Sequence, residues 1–177
     1  MLIVFSGLPG TGKSTIAHEL ARRIGATYLR IDTIEQALKN SSLRIDPVDD
    51  AGYAAAFALA EDNLKLGRIV VADSVNPVEE TRAAWRIVAV RAGCDAMDVE
   101  IVCSDEAEHR RRVEARTSDI AGFYQPTWSE VVRRDYQPWR SERILIDTAG
   151  RPAAASVEAL LTALPLRPPP GGRQLKS

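Results

Sequence analysis

Residues 2–15 read Leu-Ile-Val-Phe-Ser-Gly-Leu-Pro-Gly-Thr-Gly-Lys-Ser-Thr, and this stretch decides the fold. Its first part, Leu2–Phe5, is a short apolar run with β-branched residues, which is typical of a buried strand. Beyond a glycine-rich turn, Ile16, Leu20 and Ile24 recur at the spacing of one helix face. The sequence therefore predicts a strand, a loop and a helix in that order.

The glycine-rich turn carries a phosphate-binding signature. Gly7–Ser14 matches G-x-x-x-x-G-K-[ST] at every fixed position, and it lies between a predicted strand and a predicted helix, as this motif requires. The glycines let backbone N–H groups turn toward phosphate oxygens, while Lys13 neutralises the β- and γ-phosphates and Ser14 offers an oxygen to Mg²⁺. A glycine-rich turn without a ligand would not need these two residues. The predicted nucleotide-binding residues are Gly7, Leu8, Pro9, Gly10, Thr11, Gly12, Lys13, Ser14 and Thr15.

The composition is that of one compact domain. Of 177 residues, 45% are hydrophobic and 27% are charged, which suffices for one core and excludes a wholly disordered chain. The 23 Lys and Arg residues against 24 Asp and Glu residues give a net charge of −1, which argues against a protein that coats nucleic acid. No apolar run approaches the roughly 20 residues that span a bilayer, and no secretory leader is recognisable, so we expect a cytoplasmic protein that does not bind membranes. Cys94 and Cys103 form no C-x-x-C motif and are expected to be free thiols.

Strands and helices alternate along the rest of the chain. Predicted strands cover 27–31, 68–72, 99–103 and 143–146, and predicted helices cover 33–39, 53–64, 77–92, 105–116, 127–136 and 154–164. Asn76 and Ser104 are predicted N-caps, and Thr127 with Glu130 is a predicted capping box. This alternation predicts an α/β fold with a parallel sheet, helices on both of its faces, and ligands at the carboxyl ends of the strands.

Other classes of P-loop protein fit the sequence poorly. An AAA motor needs a helical lid domain and an Asp-Glu pair after a central strand, whereas Asp73 is followed by Ser74. Ile146–Gly150 looks like the D-x-x-G switch of GTPases, but it follows the last strand, and the chain has no Asn-Lys-x-Asp motif. We interpret this match as a coincidence and expect these residues to form the loop beside the adenine ring.

With its phosphate loop, Asp32 and an arginine-rich helix, the chain resembles the small P-loop kinases of the adenylyl-sulfate kinase, gluconate kinase and polynucleotide 5′-hydroxyl kinase group. This group includes zeta-toxin-like and AAA-domain ATP-binding proteins, and the resemblance covers about residues 1–164. It implies a five-stranded sheet in the order 2-3-1-4-5 and a small helical lid at about 112–135. It also implies that Asp32 binds or deprotonates the acceptor hydroxyl, which is compatible with its alternative interpretation as a helix N-cap.

The resemblance suggests further ligands near the next strand. Asp73 matches the place where such enzymes hold the Mg²⁺ water shell or the substrate, and a simple turn carboxylate is the alternative. Asn76 is a candidate substrate ligand or only the cap of the next helix. Arg82 resembles the arginine that binds the substrate anion in this group, and a solvated helix arginine is its alternative.

Two arginines of the charged helix are the candidate lid residues. Arg112 and Arg116 lie four residues apart and so share one helix face. In the resembling kinases, lid arginines close over ATP and spread the charge of the transferring phosphoryl group, because a guanidinium stays ionised and reaches two oxygens at once. The alternative is a charged helix that faces solvent.

Together these residues lead us to expect an ATP-dependent kinase that transfers the γ-phosphoryl group of Mg·ATP to a hydroxyl of a small molecule or nucleotide. Lys13, Asp32, Arg112 and Arg116 are its expected catalytic residues. Two alternatives are a polynucleotide 5′-hydroxyl end as the acceptor and a regulatory nucleotide-binding ATPase without an acceptor. Residues 165–177 contain four prolines and no acidic residue, which predicts a disordered tail outside the domain of residues 1–164.

Overall fold

The computed structural model describes residues 1–166 and has an α/β fold built around one parallel sheet. The strands lie in the order β2-β3-β1-β4-β5, and each strand is parallel to its neighbours. They are β1 Leu2–Ser6, β2 Thr27–Arg30, β3 Val70–Asp73, β4 Ala96–Val102 and β5 Ile144–Asp147. The predicted fold class and strand order are confirmed, and the predicted tail lies outside the described residues from residue 167 onward.

Helices cover both faces of the sheet. They are α1 Lys13–Ile24, α2 Ile31–Asn40, α3 Ala51–Lys65, α4 Glu79–Arg91, α5 Glu106–Ala115, α6 Trp128–Arg133 and α7 Ala153–Ala163. One core joins the sheet to α1 and α7, and a second core joins it to α3 and α4. No helix within residues 1–166 has the length and apolar character needed to cross a membrane.

The central strand β1 serves both cores because its side chains alternate. Ile3 and Phe5 pack into the core beneath α1 and α7, whereas Leu2 and Val4 pack into the core beneath α3 and α4. A strand buried on both faces has no polar alternation, which explains why this segment reads as a continuous apolar run.

The register of the sheet aligns the ends of three strands. Phe5 of β1 lies opposite Asp73 of β3 on one side and Val99 of β4 on the other. The glycine-rich loop therefore leaves the sheet between the carboxyl ends of β3 and β4. The backbone register of the strands thus places Asp73 next to the loop.

Three helix starts differ from the sequence predictions. β2 ends at Arg30, and α2 begins at Ile31, so Asp32 lies in the first helical turn and is not an N-cap. The N-cap of α4 is Val78 and not Asn76. Asn76 adopts a φ of 44°, and its side chain is buried. The remaining difference is at α5, where Asp105 rather than Ser104 is the N-cap and accepts a hydrogen bond from the Glu108 amide.

Other local predictions are confirmed. Thr127 and Glu130 form both hydrogen bonds of a capping box at the start of α6. Cys94 and Cys103 are both free thiols.

Arg82 anchors the segment before β5 to the core through hydrogen bonds. It is fully buried, and its guanidinium donates hydrogen bonds to the carbonyls of Asn76 at 3.0 Å, Pro77 at 3.2 Å and Gln137 at 2.9 Å. The guanidinium also lies over the ring of Trp139, 4.1 Å from its centroid, and near the ring of Tyr136. These contacts hold the chain that connects α6 to β5.

We expect Arg82→Ala to destabilise the protein by about 3 kcal/mol, because three buried or half-buried carbonyls would lose their donor and two aromatic rings would lose their packing partner. Urea unfolding followed by circular dichroism measures the change. Arg91→Ala, at an exposed position on the same helix, is the matched control and should stay within about 0.5 kcal/mol of the unsubstituted protein. Equal stability of the two variants would contradict this role for Arg82.

Candidate functional site

The loop between β1 and α1 is a tight turn that requires glycine at two positions. Gly7 and Gly10 have φ values of 145° and 86°, a region that L side chains rarely adopt. A Cβ atom at Gly7 would overlap the carbonyl oxygen of Ile101, and one at Gly10 would overlap the side chain of Val113. The loop therefore lies directly against the end of β4 and against α5.

The helix after the loop points its N-terminus at the same space. α1 begins at Lys13, and neither a side-chain cap nor an acidic residue in its first turn satisfies its free N–H groups. These N–H groups and the helix dipole favour an anion. Seven of the nine predicted nucleotide-binding residues line one cavity at this end of the sheet. The other two, Gly7 and Thr11, are buried.

Lys13, which lines the cavity, forms a buried ion pair with Asp73. Asp73 also accepts a hydrogen bond of 2.7 Å from the hydroxyl of Tyr28, and the Lys13 ammonium lies 3.4 Å from the Ser14 hydroxyl oxygen. The structure thus brings together three of the predicted nucleotide and metal ligands, Lys13, Ser14 and Asp73.

These partners determine the charge of Asp73. Burial alone would raise its pKa, but the positive charge of Lys13 and hydrogen bonds from Lys13, Tyr28 and Ser14 outweigh burial and hold the pKa below its ordinary value. Burial and the negative charge of Asp73 raise the pKa of Tyr28, so this hydroxyl stays a hydrogen-bond donor. These contacts favour the charged carboxylate form of Asp73 next to the phosphate loop.

The cavity has a volume of about 1130 Å³ and extends from the phosphate loop to α2 and the segment after α5. Asp32 lies on its wall and is half-buried. Burial, assisted by the negative charge of Asp73, raises the pKa of Asp32 above its ordinary value, against the opposing positive charges of Lys13, Arg30 and Arg116. Its carboxylate accepts no hydrogen bond from residues 1–166, which leaves it available to a ligand.

The two predicted lid arginines line the cavity but differ in their contacts. Arg112 donates to the hydroxyl of Thr148 at 2.8 Å and to its carbonyl at 3.0 Å, and it pairs with Glu108. Arg116 has two buried guanidinium nitrogens, Nε and Nη2, without a partner in the described part of the chain. Burial lowers the pKa of Arg116, while Asp32 acts in the opposite direction. Arg112 is fixed in place, and Arg116 is the guanidinium that remains available.

Two further side chains hold the phosphate loop. A ring nitrogen of His109, Nε2, lies 2.8 Å from the Pro9 carbonyl oxygen, and the hydroxyl of Thr148 donates to the Thr11 carbonyl at 2.9 Å. Thr148 belongs to the segment after β5, which was predicted to lie beside the adenine ring and does reach the cavity wall through Thr148 and Arg151.

The structure does not bring Arg82 and Asn76 to the cavity. Both are fully buried, and Arg82 is held by backbone carbonyls and aromatic rings. Asn76 donates to the Phe5 carbonyl at 3.0 Å and accepts from the Trp85 indole at 3.2 Å. The polar groups of both residues are hydrogen-bonded inside the core, so this arrangement gives their predicted substrate roles no support.

Several residues of the site belong to no motif that the sequence reveals. Tyr28 lies within a strand pattern, and His109 lies in a charged helix, four residues before the buried Val113. Glu35 also lines the cavity, one helical turn after Asp32. That i, i+3 spacing from a candidate catalytic acid was the available signal for Glu35.

Several solved structures share this fold. A candidate kinase of Chloroflexus aurantiacus J-10-fl has a TM-score of 0.73 at 18% identity, over 92% of this chain and 97% of that one. A gluconokinase of Sinorhizobium meliloti 1021 has a TM-score of 0.62 at 21% identity, over 90% and 89%. The APS kinase of Mycobacterium tuberculosis, solved with AMPPNP and APS, has a TM-score of 0.59 at 20% identity, over 91% and 95%. At these identities the similarity establishes the fold alone.

The family follows from the sequence match. A search among curated proteins gives no significant match. Residues 2–127, which include the phosphate loop, Asp32, Asp73, Arg112 and Arg116, match the model of the family described as AAA domain. The chain belongs to this AAA domain family and has the fold of the small P-loop kinases.

Proposed function

We propose that the protein is a kinase that transfers the γ-phosphoryl group of Mg·ATP to a hydroxyl of a small molecule or nucleotide. The main support is that Asp32 shares one cavity with Lys13 of the phosphate loop and with the unpartnered guanidinium of Arg116. A protein that only binds a nucleotide would not need a half-buried carboxylate of raised pKa across from its phosphate loop.

The residues beside Lys13 fit a magnesium ion. The Ser14 hydroxyl and the Asp73 carboxylate are hard oxygen donors close to each other, since a hydrogen bond from Ser14 contributes to the lowered pKa of Asp73. When bound, Mg²⁺ would neutralise charge on the β- and γ-phosphates. Ser14 and Asp73 would hold the ion, and Tyr28 would keep the Asp73 carboxylate oriented through its hydrogen bond.

Asp32 would act on the acceptor. In the transfer, the acceptor oxygen forms a bond to the γ-phosphorus, the bond from that phosphorus to the β,γ-bridging oxygen breaks, and ADP leaves. Asp32 would accept the hydroxyl proton as the new bond forms, which requires its carboxylate form. The raised pKa makes the Asp32 carboxylate a stronger proton acceptor than an ordinary aspartate.

Arg112 and Arg116 would have different roles in the reaction. Arg112, fixed by Thr148 and Glu108, would hold the segment after β5 beside the nucleotide. Arg116 would donate to the oxygens of the transferring phosphoryl group and stabilise its charge. We propose that residues 112–135 act as the lid over this site, because they carry both arginines and form one wall of the cavity.

We expect Lys13→Ala to lower kcat/KM for phosphoryl transfer by at least about 100-fold, because the phosphates lose a charge-assisted donor in a partly buried site. A coupled ADP-release assay measures the loss across sugars, sugar acids, nucleosides, adenylyl sulfate, antibiotics and 5′-hydroxyl oligonucleotides. Lys65→Ala, at an exposed helical position, is the matched control. Normal turnover by a folded Lys13→Ala protein would contradict the proposal, and ADP release that no acceptor accelerates would favour a regulatory ATPase.

We expect Asp32→Asn to lower kcat by about 10²- to 10⁴-fold while the affinity for ATP changes little, because the amide cannot accept the proton. The raised pKa of Asp32 adds a pH test: kcat should fall on acidification at a higher pH than for an ordinary aspartate. The pH profile of kcat and calorimetric titration with ATP measure the two effects. An Asp32→Asn enzyme with an unchanged kcat would leave Asp32 without a catalytic role.

A further inference from the structure

Glu35 is a second acid on the acceptor side of the cavity. It follows Asp32 by one turn of α2, so both side chains lie on the same helix face. Both line the cavity, and within residues 1–166 neither carboxylate accepts a hydrogen bond or forms an ion pair. The site therefore presents two neighbouring carboxylates whose lone pairs are free for a ligand.

A glycine on the neighbouring helix makes room for Glu35. Gly52 is buried in the first turn of α3, and a Cβ atom there would overlap the Glu35 side chain at Cγ. Gly52 has an ordinary helical backbone, so an alanine would fit the helix, and the three atoms nearest to its Cβ would all belong to the Glu35 side chain. The contact between α2 and α3 thus fixes the path of the Glu35 side chain.

The cations nearby leave Glu35 unpaired. The positive charges that act on it most are those of Lys39 and Arg134, but Lys39 pairs with Asp46 instead. Arg30, at the same wall, is held by Asp119 through bonds of 2.9 and 2.7 Å. Burial and the negative charge of Asp32 raise the pKa of Glu35, which signals a carboxylate without its own counter-charge.

From this placement we infer that Glu35 determines acceptor specificity: with Asp32 it selects an acceptor that presents a second hydroxyl or an ammonium group beside the reacting hydroxyl, and it disfavours a phosphate or sulfate there. This inference rests on the proposed kinase function. A hydroxyl or ammonium donates to a carboxylate, whereas an anionic group beside Asp32 and Glu35 would meet two negative charges in a partly buried site. Arg116, the nearby cation without a partner, would not offset these charges, because in the proposed mechanism it binds the transferring phosphoryl group. The acceptor class is accordingly an uncharged polyol or an amino sugar.

The test compares acceptors in two groups by ADP release. Uncharged sugars, sugar alcohols and amino sugars form the first group, and phosphorylated sugars, adenylyl sulfate and 5′-hydroxyl oligonucleotides form the second. We expect turnover in the first group, with amino sugars distinguished from neutral polyols by their relative kcat/KM. Turnover confined to the second group would overturn the inference while supporting a kinase, and ADP release with neither group and with none of the other acceptors screened above would contradict the kinase proposal and this inference with it.

Variants then test Glu35 itself with the acceptor that is turned over. Glu35→Gln should raise the KM for the acceptor about tenfold and leave the KM for ATP unchanged, with a larger effect on an ammonium than on a hydroxyl. Gly52→Ala should raise the acceptor KM in the same direction without loss of thermal stability, because it displaces Glu35 and favours the helix. Glu80→Gln, which removes the same charge at an exposed position of α4, is the control and should change neither KM. An unchanged acceptor KM in Glu35→Gln would overturn the inference.

Discussion

The buried ion pair of Lys13 and Asp73 is the contact on which the site depends. Neither charge would be tolerated alone at this depth, since one removed partner leaves an uncompensated charge in a poorly solvated place. The pair exists because β1 and β3 are neighbours in register, with Phe5 opposite Asp73. The Lys13 ammonium has three N–H donors, and its contacts with Asp73 and Ser14 use two of them. The third donor is left for a phosphate oxygen.

The helix α5 packs against the phosphate loop and also positions Arg112 and Arg116. Val113 and His109 lie against the loop at Gly10 and Pro9, while Arg112 and Arg116 extend from the same helix region toward the cavity. A shift of α5 would therefore move the loop and the arginines together. The ring of His109 also meets the ring of Trp128 edge to face, with centroids 5.1 Å apart, which extends this connection to α6.

The sequence predicted the elements and the phosphate loop well because both depend on short-range patterns. An apolar run, a glycine signature and helical periodicity identify β1, the loop and α1 from residues that are adjacent in the chain. Arg82 could not be placed in this way, because its role depends on Gln137 and Trp139, which are more than 50 residues away. Asn76 was misread for the same reason, since its carboxamide reaches a carbonyl on β1 and an indole on α4 instead of capping a helix start.

Three acids, Asp73, Asp32 and Glu35, distinguish the half of the site around the phosphate loop from the half around α2. Asp73 has the cation Lys13 and hydroxyl donors beside it, and these lower its pKa. Asp32 and Glu35 have no such partners, and burial together with the charge of a neighbouring acid raises the pKa of each. Opposite shifts among acids in one site separate an ion-holding role from a proton-accepting role. The half around Lys13 and Asp73 is thus suited to a metal and a polyphosphate, whereas the half around α2 is suited to a ligand that brings hydrogen-bond donors and gives up a proton.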